Sequence, residues 1–94
     1  ALKSEYYIAL VTTATRRNVE RILEHFSLAE LFDAVVTQED VLHAKPDPFC
    51  YNMVIERFGV DRSRCIIFED SASGVAAALA SGCQTLRVRK GAAL

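Results

Sequence analysis

At 94 residues the chain is long enough for one small domain and too short for two. Eleven basic residues against twelve acidic ones leave a net charge of −1, so neither nucleic acid nor an anionic membrane surface is indicated as a partner. The composition, 51% hydrophobic and 24% charged, is that of an ordinary globular protein, and no apolar run approaches the length of a membrane span.

The start, Ala1-Leu2-Lys3-Ser4, does not resemble a signal peptide and leads straight into Tyr6-Tyr7-Ile8-Ala9-Leu10-Val11. That run is rich in aromatic and β-branched residues and reads as a buried parallel strand. It stops in a cluster of hydroxyls, Thr12-Thr13-Ala14-Thr15, of which Thr15 can cap the helix that follows. In that helix Val19, Ile22, Leu23 and Phe26 fall on one apolar face, and Arg16, Arg17, Glu20, Arg21 and Glu24 lie mostly on a solvated one.

Ser27 to Phe32 reads as a short helical turn and Ala34-Val35-Val36-Thr37 as a second strand. A polar loop follows from Gln38 to Pro48, whose two prolines exclude regular helix in its middle. Phe49 to Phe58 is a second amphipathic helix with Tyr51, Val54, Ile55 and Phe58 on one face, closed by Gly59. Cys65-Ile66-Ile67-Phe68 is a short apolar run, expected to be a strand buried on both faces, and it ends in Glu69-Asp70. A helix runs from about Ser73 to Ser81 and stops at Gly82. Gln84 to Arg89 is a last, more polar strand, and Lys90 to Leu94 a tail. Cys50, Cys65 and Cys83 show no CxxC or Cys/His spacing and read as reduced, mostly buried thiols of a cytoplasmic protein.

Strands alternating with helices imply right-handed crossovers and a parallel, doubly wound α/β sheet. All strand C-termini of such a sheet face one edge, where ligands bind. Three strand ends deliver polar groups there: Thr12 and Thr13, the Lys45 loop, and Glu69 with Asp70. Hydroxyls, an ammonium and a carboxylate pair are the parts needed to hold a phosphoryl group beside a divalent ion. On its own, the Glu69-Asp70 pair is equally read as a metal site or as the cap of the next helix.

Taken together these segments resemble the haloacid dehalogenase superfamily, in particular phosphatases and phosphomutases related to phosphoglycolate phosphatase and β-phosphoglucomutase. Ile8 to Thr15 is similar to its motif II. His43-Ala44-Lys45-Pro46-Asp47-Pro48 is similar to motif III, and Ile66 to Val75, with Ala76-Ala77-Ala78 and Ser81-Gly82, to motif IV. The resemblance runs from about Tyr6 to Val88. Two departures are small: Ala44 stands where Gly is common, and Phe49 where Asp is common.

The resemblance implies a Rossmann-like, three-layer αβα parallel sheet, and residue roles within it. Thr12 would hydrogen-bond a phosphoryl oxygen, helped by the backbone N–H of Thr13. Lys45 would neutralise the phosphoryl group and the nucleophile. Asp70 would bind Mg²⁺, with Glu69 beside it as ligand or in support. Ser71 and Ser73 remain open between helix caps and phosphate ligands, Asp47 reads as a cap of the second helix, and His25 and His43 as surface and loop residues. The family's motif I, an Asp-x-Asp run that supplies the nucleophile, has no counterpart in these 94 residues. The expectation is therefore the C-terminal portion of an incomplete hydrolase core, residues 1–94, lacking the nucleophile strand and the cap. That missing N-terminal segment would be its partner, and its substrate a small phosphorylated metabolite. A sugar phosphomutase and a non-catalytic domain of the same fold are the alternatives. A receiver-type or flavodoxin-like module does not account for Lys45-Pro46 upstream of Glu69-Asp70.

Overall fold

The computed structural model describes residues 6–88. The chain falls into two compact units, Ala1–Leu42 and His43–Leu94. The expected N-terminal run-in, the tail after Lys90 and the end of the last strand at Arg89 lie outside the described residues.

The first unit is built on β1 (Ala9–Val11), α1 (Arg16–His25) and β2 (Ala34–Val36). β1 and β2 pair in parallel, with Ala9 opposite Ala34 and Val11 opposite Val36. Only three residues of the Tyr6–Val11 run are paired strand, and Tyr6 and Tyr7 are exposed. Thr15 caps α1 as expected, its hydroxyl accepting from the Asn18 N–H. The apolar face of α1 is only half covered: Val19 and Leu23 are buried, whereas Ile22 and Phe26 face solvent. The chain leaves α1 through Ser27, whose φ of 55° is left-handed; the turn is closed by the Leu28 N–H on the Leu23 carbonyl at 2.8 Å.

The second unit holds α2 (Phe49–Phe58), β3 (Ile66–Glu69), α3 (Ala72–Ala80) and β4 (Gln84–Arg87). β3 and β4 are parallel neighbours, from Ile66 opposite Gln84 to Glu69 opposite Arg87. α2 has the expected bounds and ends at Gly59, whose φ of 64° only glycine adopts without strain. The crossover α3 packs on both strands, its Ala77 and Ala78 fully buried. These small side chains let the helix lie close to the sheet.

The α/β fold with parallel strands is as expected, and among the described residues the strands form two parallel two-stranded sheets, β1–β2 and β3–β4. One expectation is corrected: β3 is not buried on both faces. Side chains alternate across a strand, and α3 covers the Ile67 and Glu69 side. Ile66, Phe68 and Leu86 share the other side and are exposed, because no described element of this unit lies over it.

Candidate functional site

In the second unit the site is organised by Glu69, the last residue of β3. Strand alternation points its side chain under α3, and the residue is 8% exposed. A buried carboxylate is costly unless its oxygens are met by donors, and here both are. Oε2 accepts from the Lys45 ammonium at 2.5 Å and from the Tyr51 hydroxyl. Oε1 accepts from the Asp70 N–H at 3.1 Å and, more weakly, from the Ser71 hydroxyl at 3.5 Å. Lys45 is itself largely buried and lies 5.3 Å above the centre of the Tyr51 ring.

Local structure places each of these groups. Asp47 accepts from the Phe49 N–H at 2.8 Å and so opens α2, as expected of it. α2 then turns Cys50, Tyr51 and Ile55 inward. Ser71 caps α3 by accepting from the Gly74 N–H at 3.0 Å. Gly74 leaves room for the carboxyl: a β-carbon there would overlap Glu69. His43 stacks edge-on against Phe49 in the loop.

Titration follows the same contacts. Burial pushes Glu69 up, but the Lys45 and Tyr51 hydrogen bonds and the Lys45 charge outweigh it, and the carboxyl ends below the usual carboxylate range. Tyr51 is pushed far above an ordinary phenol, by burial first and then by the Glu69 carboxylate it donates to. Burial likewise raises the Cys50 thiol.

The two acids that the sequence presents as a pair are thus unlike. Glu69 is buried and engaged by protein donors. Asp70 is exposed at the strand tip, and among the described residues its carboxylate makes no hydrogen bond or ion pair. No cluster of three metal-ligating side chains occurs among the described residues.

Thr12 and Thr13 belong to the first unit. The Thr12 N–H donates to the Val36 carbonyl at 2.9 Å, extending the β1–β2 ladder by one step. Its hydroxyl accepts from the Ala14 N–H at 3.1 Å, which shapes the turn after β1; Thr13 is exposed. This turn is held by residues whose role is not apparent from the sequence. Thr37 is fully buried; its N–H and hydroxyl donate to Asp40 at 2.8 and 2.9 Å. Asp40 also receives the Arg16 guanidinium at 2.5 Å, and Glu39 accepts from the Arg16 N–H at 2.9 Å. Arg16 therefore ties the end of β2 to the start of α1 and is not part of a merely solvated face. The available signal was Thr37-x-x-Asp40, the spacing of a capping box.

The family model of the haloacid dehalogenase-like hydrolases matches residues 1–88. The chain is 37% identical over 82 residues to the fructose-1-phosphate phosphatase YqaB of Escherichia coli, covering 87% of this chain and 44% of that protein. It is 37% identical over 79 residues to the phosphorylated carbohydrates phosphatase of Thermotoga maritima, covering 84% and 37%. Among solved structures, a "putative beta-phosphoglucomutase" from Thermotoga maritima superposes with a TM-score of 0.87 at 33% identity, over 96% of this chain and 42% of that one. CbbY from Rhodobacter sphaeroides, solved in complex with phosphate, superposes with a TM-score of 0.85 at 27% identity, over 93% and 40%. The chain thus spans less than half the length of the relatives it matches. Among the described residues no helix is long and apolar enough to cross a membrane.

Proposed function

The chain belongs to the haloacid dehalogenase-like hydrolase family, and from that premise we propose that residues 1–94 are the C-terminal portion of the core of a Mg²⁺-dependent phosphatase acting on a small phosphorylated metabolite. The observation that carries this reading is the tip of β3, where the Lys45 ammonium is held by buried Glu69 beside the unpartnered, exposed Asp70. A fixed cation next to a free carboxylate suits a phosphoryl group that shares its oxygens with a hard divalent ion. The names of the two phosphatase relatives favour a sugar phosphate as that metabolite. The three unpaired cysteines support a reducing, cytoplasmic setting.

The donor set fits an oxygen-loving ion only in part. Asp70 would hold Mg²⁺, and Glu69, with both oxygens on protein donors, would stand behind it. The remaining ligands would come from phosphate, water and segments outside residues 1–94. When bound, the ion would supply charge neutralisation of the phosphoryl oxygens. Lys45 places a second positive charge there, oriented by Glu69 and Tyr51. Thr12, with the N–H of Thr13, takes a phosphoryl oxygen. The nucleophile is an Asp supplied from outside residues 1–94, and attack by it gives an aspartyl-phosphate that water hydrolyses. That outside segment would also supply backbone partners for the outer sides of β1 and β3.

A sugar phosphomutase is the second reading, favoured by the mutase-named structural neighbour. It differs in returning the phosphoryl group to the sugar. The test is phosphate release from fructose 1-phosphate by the full-length protein with Mg²⁺, and again with a chelator. Chelator-sensitive release that falls by about 100-fold or more in Lys45→Ala and Asp70→Asn supports a phosphatase. Isomerisation of a sugar phosphate without release supports the mutase. Turnover indifferent to both the chelator and Asp70→Asn would sink both.

A further inference from the structure

Cys65 and Cys83, 18 positions apart in the sequence, are neighbours in the second unit. Each immediately precedes one of two paired parallel strands, and the register puts Ile66 opposite Gln84. One step back, the same register puts Cys65 opposite Cys83. Strand alternation turns both side chains to the face that α3 covers, the face of Ile67 and Thr85. The Cys65 backbone is already extended, with φ −107° and ψ 138°. The Cys65 thiol donates to the Asp61 carbonyl at 3.2 Å, and Cys83 is buried. Both thiols are free. Adjacent strands lie about 4.8 Å apart, inside the Cα separation of about 4.4–6.8 Å that a disulfide spans.

We propose that Cys65 and Cys83 are a redox modification site, a dithiol that a low-molecular-weight disulfide such as oxidised glutathione converts to an intramolecular disulfide stapling β3 to β4. One thiolate attacks a glutathione sulfur, forming a mixed disulfide and releasing one reduced glutathione. The second thiolate then attacks the protein sulfur of that mixed disulfide, forming the Cys65–Cys83 bond and releasing the other. The pair loses two protons and two electrons, and one glutathione disulfide is reduced. The staple closes a loop that holds β3, Asp70 and α3, so it fixes the βαβ unit from the strand ends opposite Glu69. Burial, and then the neighbouring Cys83, push the Cys65 thiol above its usual range. Thiolate is therefore scarce at neutral pH, and the pair responds slowly, to sustained oxidation.

The test is equilibration of the full-length protein in glutathione redox buffers, followed by acid quenching and tryptic digestion without reduction. Arg64 and Arg87 bound a peptide that contains both cysteines and no other basic residue, and Cys50 falls on a different peptide. The expected product is that peptide lighter by two hydrogens, with Cys50 still a thiol. The effective concentration of the pair should be at least about tenfold higher in the native protein than in urea. An equal value in urea, stable glutathione adducts in place of the bond, or linkage through Cys50 would overturn the proposal. Cys83→Ser should leave Cys65 able only to form the mixed disulfide. Because the readout is mass and not turnover, the outcome is independent of the phosphatase reading.

Discussion

The carboxyl group of Glu69 occupies the space that a side chain on Gly74 would need. A β-carbon built on residue 74 overlaps the Glu69 carboxyl carbon and both of its oxygens. The glycine is therefore a condition of the Lys45–Glu69–Tyr51 contacts and not a neutral small residue. In an exposed helix Gly→Ala gains about 1 kcal/mol. Here Gly74→Ala is expected to lose about 1–3 kcal/mol instead, because the carboxylate must leave its donors. Urea unfolding of the full-length protein measures the sign, and a neutral or stabilised variant would refute the packing described.

The two side chains that donate to Glu69 Oε2, Lys45 and Tyr51, should not be equal. Tyr51→Phe removes one hydrogen bond and leaves the ion pair, for a loss of about 1 kcal/mol. Lys45→Met leaves a buried carboxylate without its cation, for about 3–5 kcal/mol. Adding Glu69→Gln to Lys45→Met should recover part of that loss, since the stranded charge is then gone. Denaturation midpoints of the three variants form the comparison. A Lys45→Met no more costly than Tyr51→Phe would show that Glu69 does not depend on the ammonium.

Much of this was legible in the chain because the signals are local. Thr15 before an apolar periodicity, Asp47 before Phe49 and Gly59 after Phe58 each satisfy backbone groups within a few residues, and each acts as a cap in the structure. Lys45 and Glu69 were legible as polar groups at strand ends, but not as a pair, since their contact spans 24 positions. Tyr51 looked like a core aromatic, and only its hydroxyl, invisible to periodicity, makes it a partner of Glu69. The two-sided burial expected of β3 failed for another reason. An apolar run states what a strand can bury, not what lies on it, and Phe68 is 65% exposed. Arg16 failed in the opposite sense, a charge that looked solvated and ties two elements together.

The Arg16 cluster makes a prediction about pH. Asp40 is held below the usual carboxylate range by the Thr37 N–H first, then by the Thr37 hydroxyl and the Arg16 guanidinium. Glu39 is lowered chiefly by the Arg16 N–H. A carboxylate with a depressed folded value binds its proton more readily in the unfolded chain. Its contribution is thus full above the ordinary carboxylate range and is lost as pH falls through the folded value. Both residues are exposed, so the effect on the whole should be modest. Carboxyl carbon shifts followed by NMR should show Asp40 titrating below an ordinary Asp, and Asp40→Asn should flatten the acid limb of stability. Titration of Asp40 at or above the ordinary range would contradict the cluster.

The last prediction concerns the open edges. In a two-stranded parallel sheet each strand pairs along one side only, and its N–H groups point alternately towards the neighbour and away from it. Among the described residues β1 pairs with β2 alone and β3 with β4 alone. Backbone groups on the outer sides have no ladder partner, a costly state in a core and an exchange-prone one in water. The exposed Ile66, Phe68 and Leu86 face adds apolar surface that α3 does not cover. Of the amides of Ile8–Val11 and Ile66–Phe68, those that point away from the paired neighbour should therefore exchange quickly in a chain limited to residues 1–94. In the full-length protein, where the outside segment would cover these edges, the same amides should be among the slowest. Hydrogen exchange of the two forms, read residue by residue, makes the comparison. Strong protection of these amides in a monomer of residues 1–94 would mean that the two small sheets are complete as they stand.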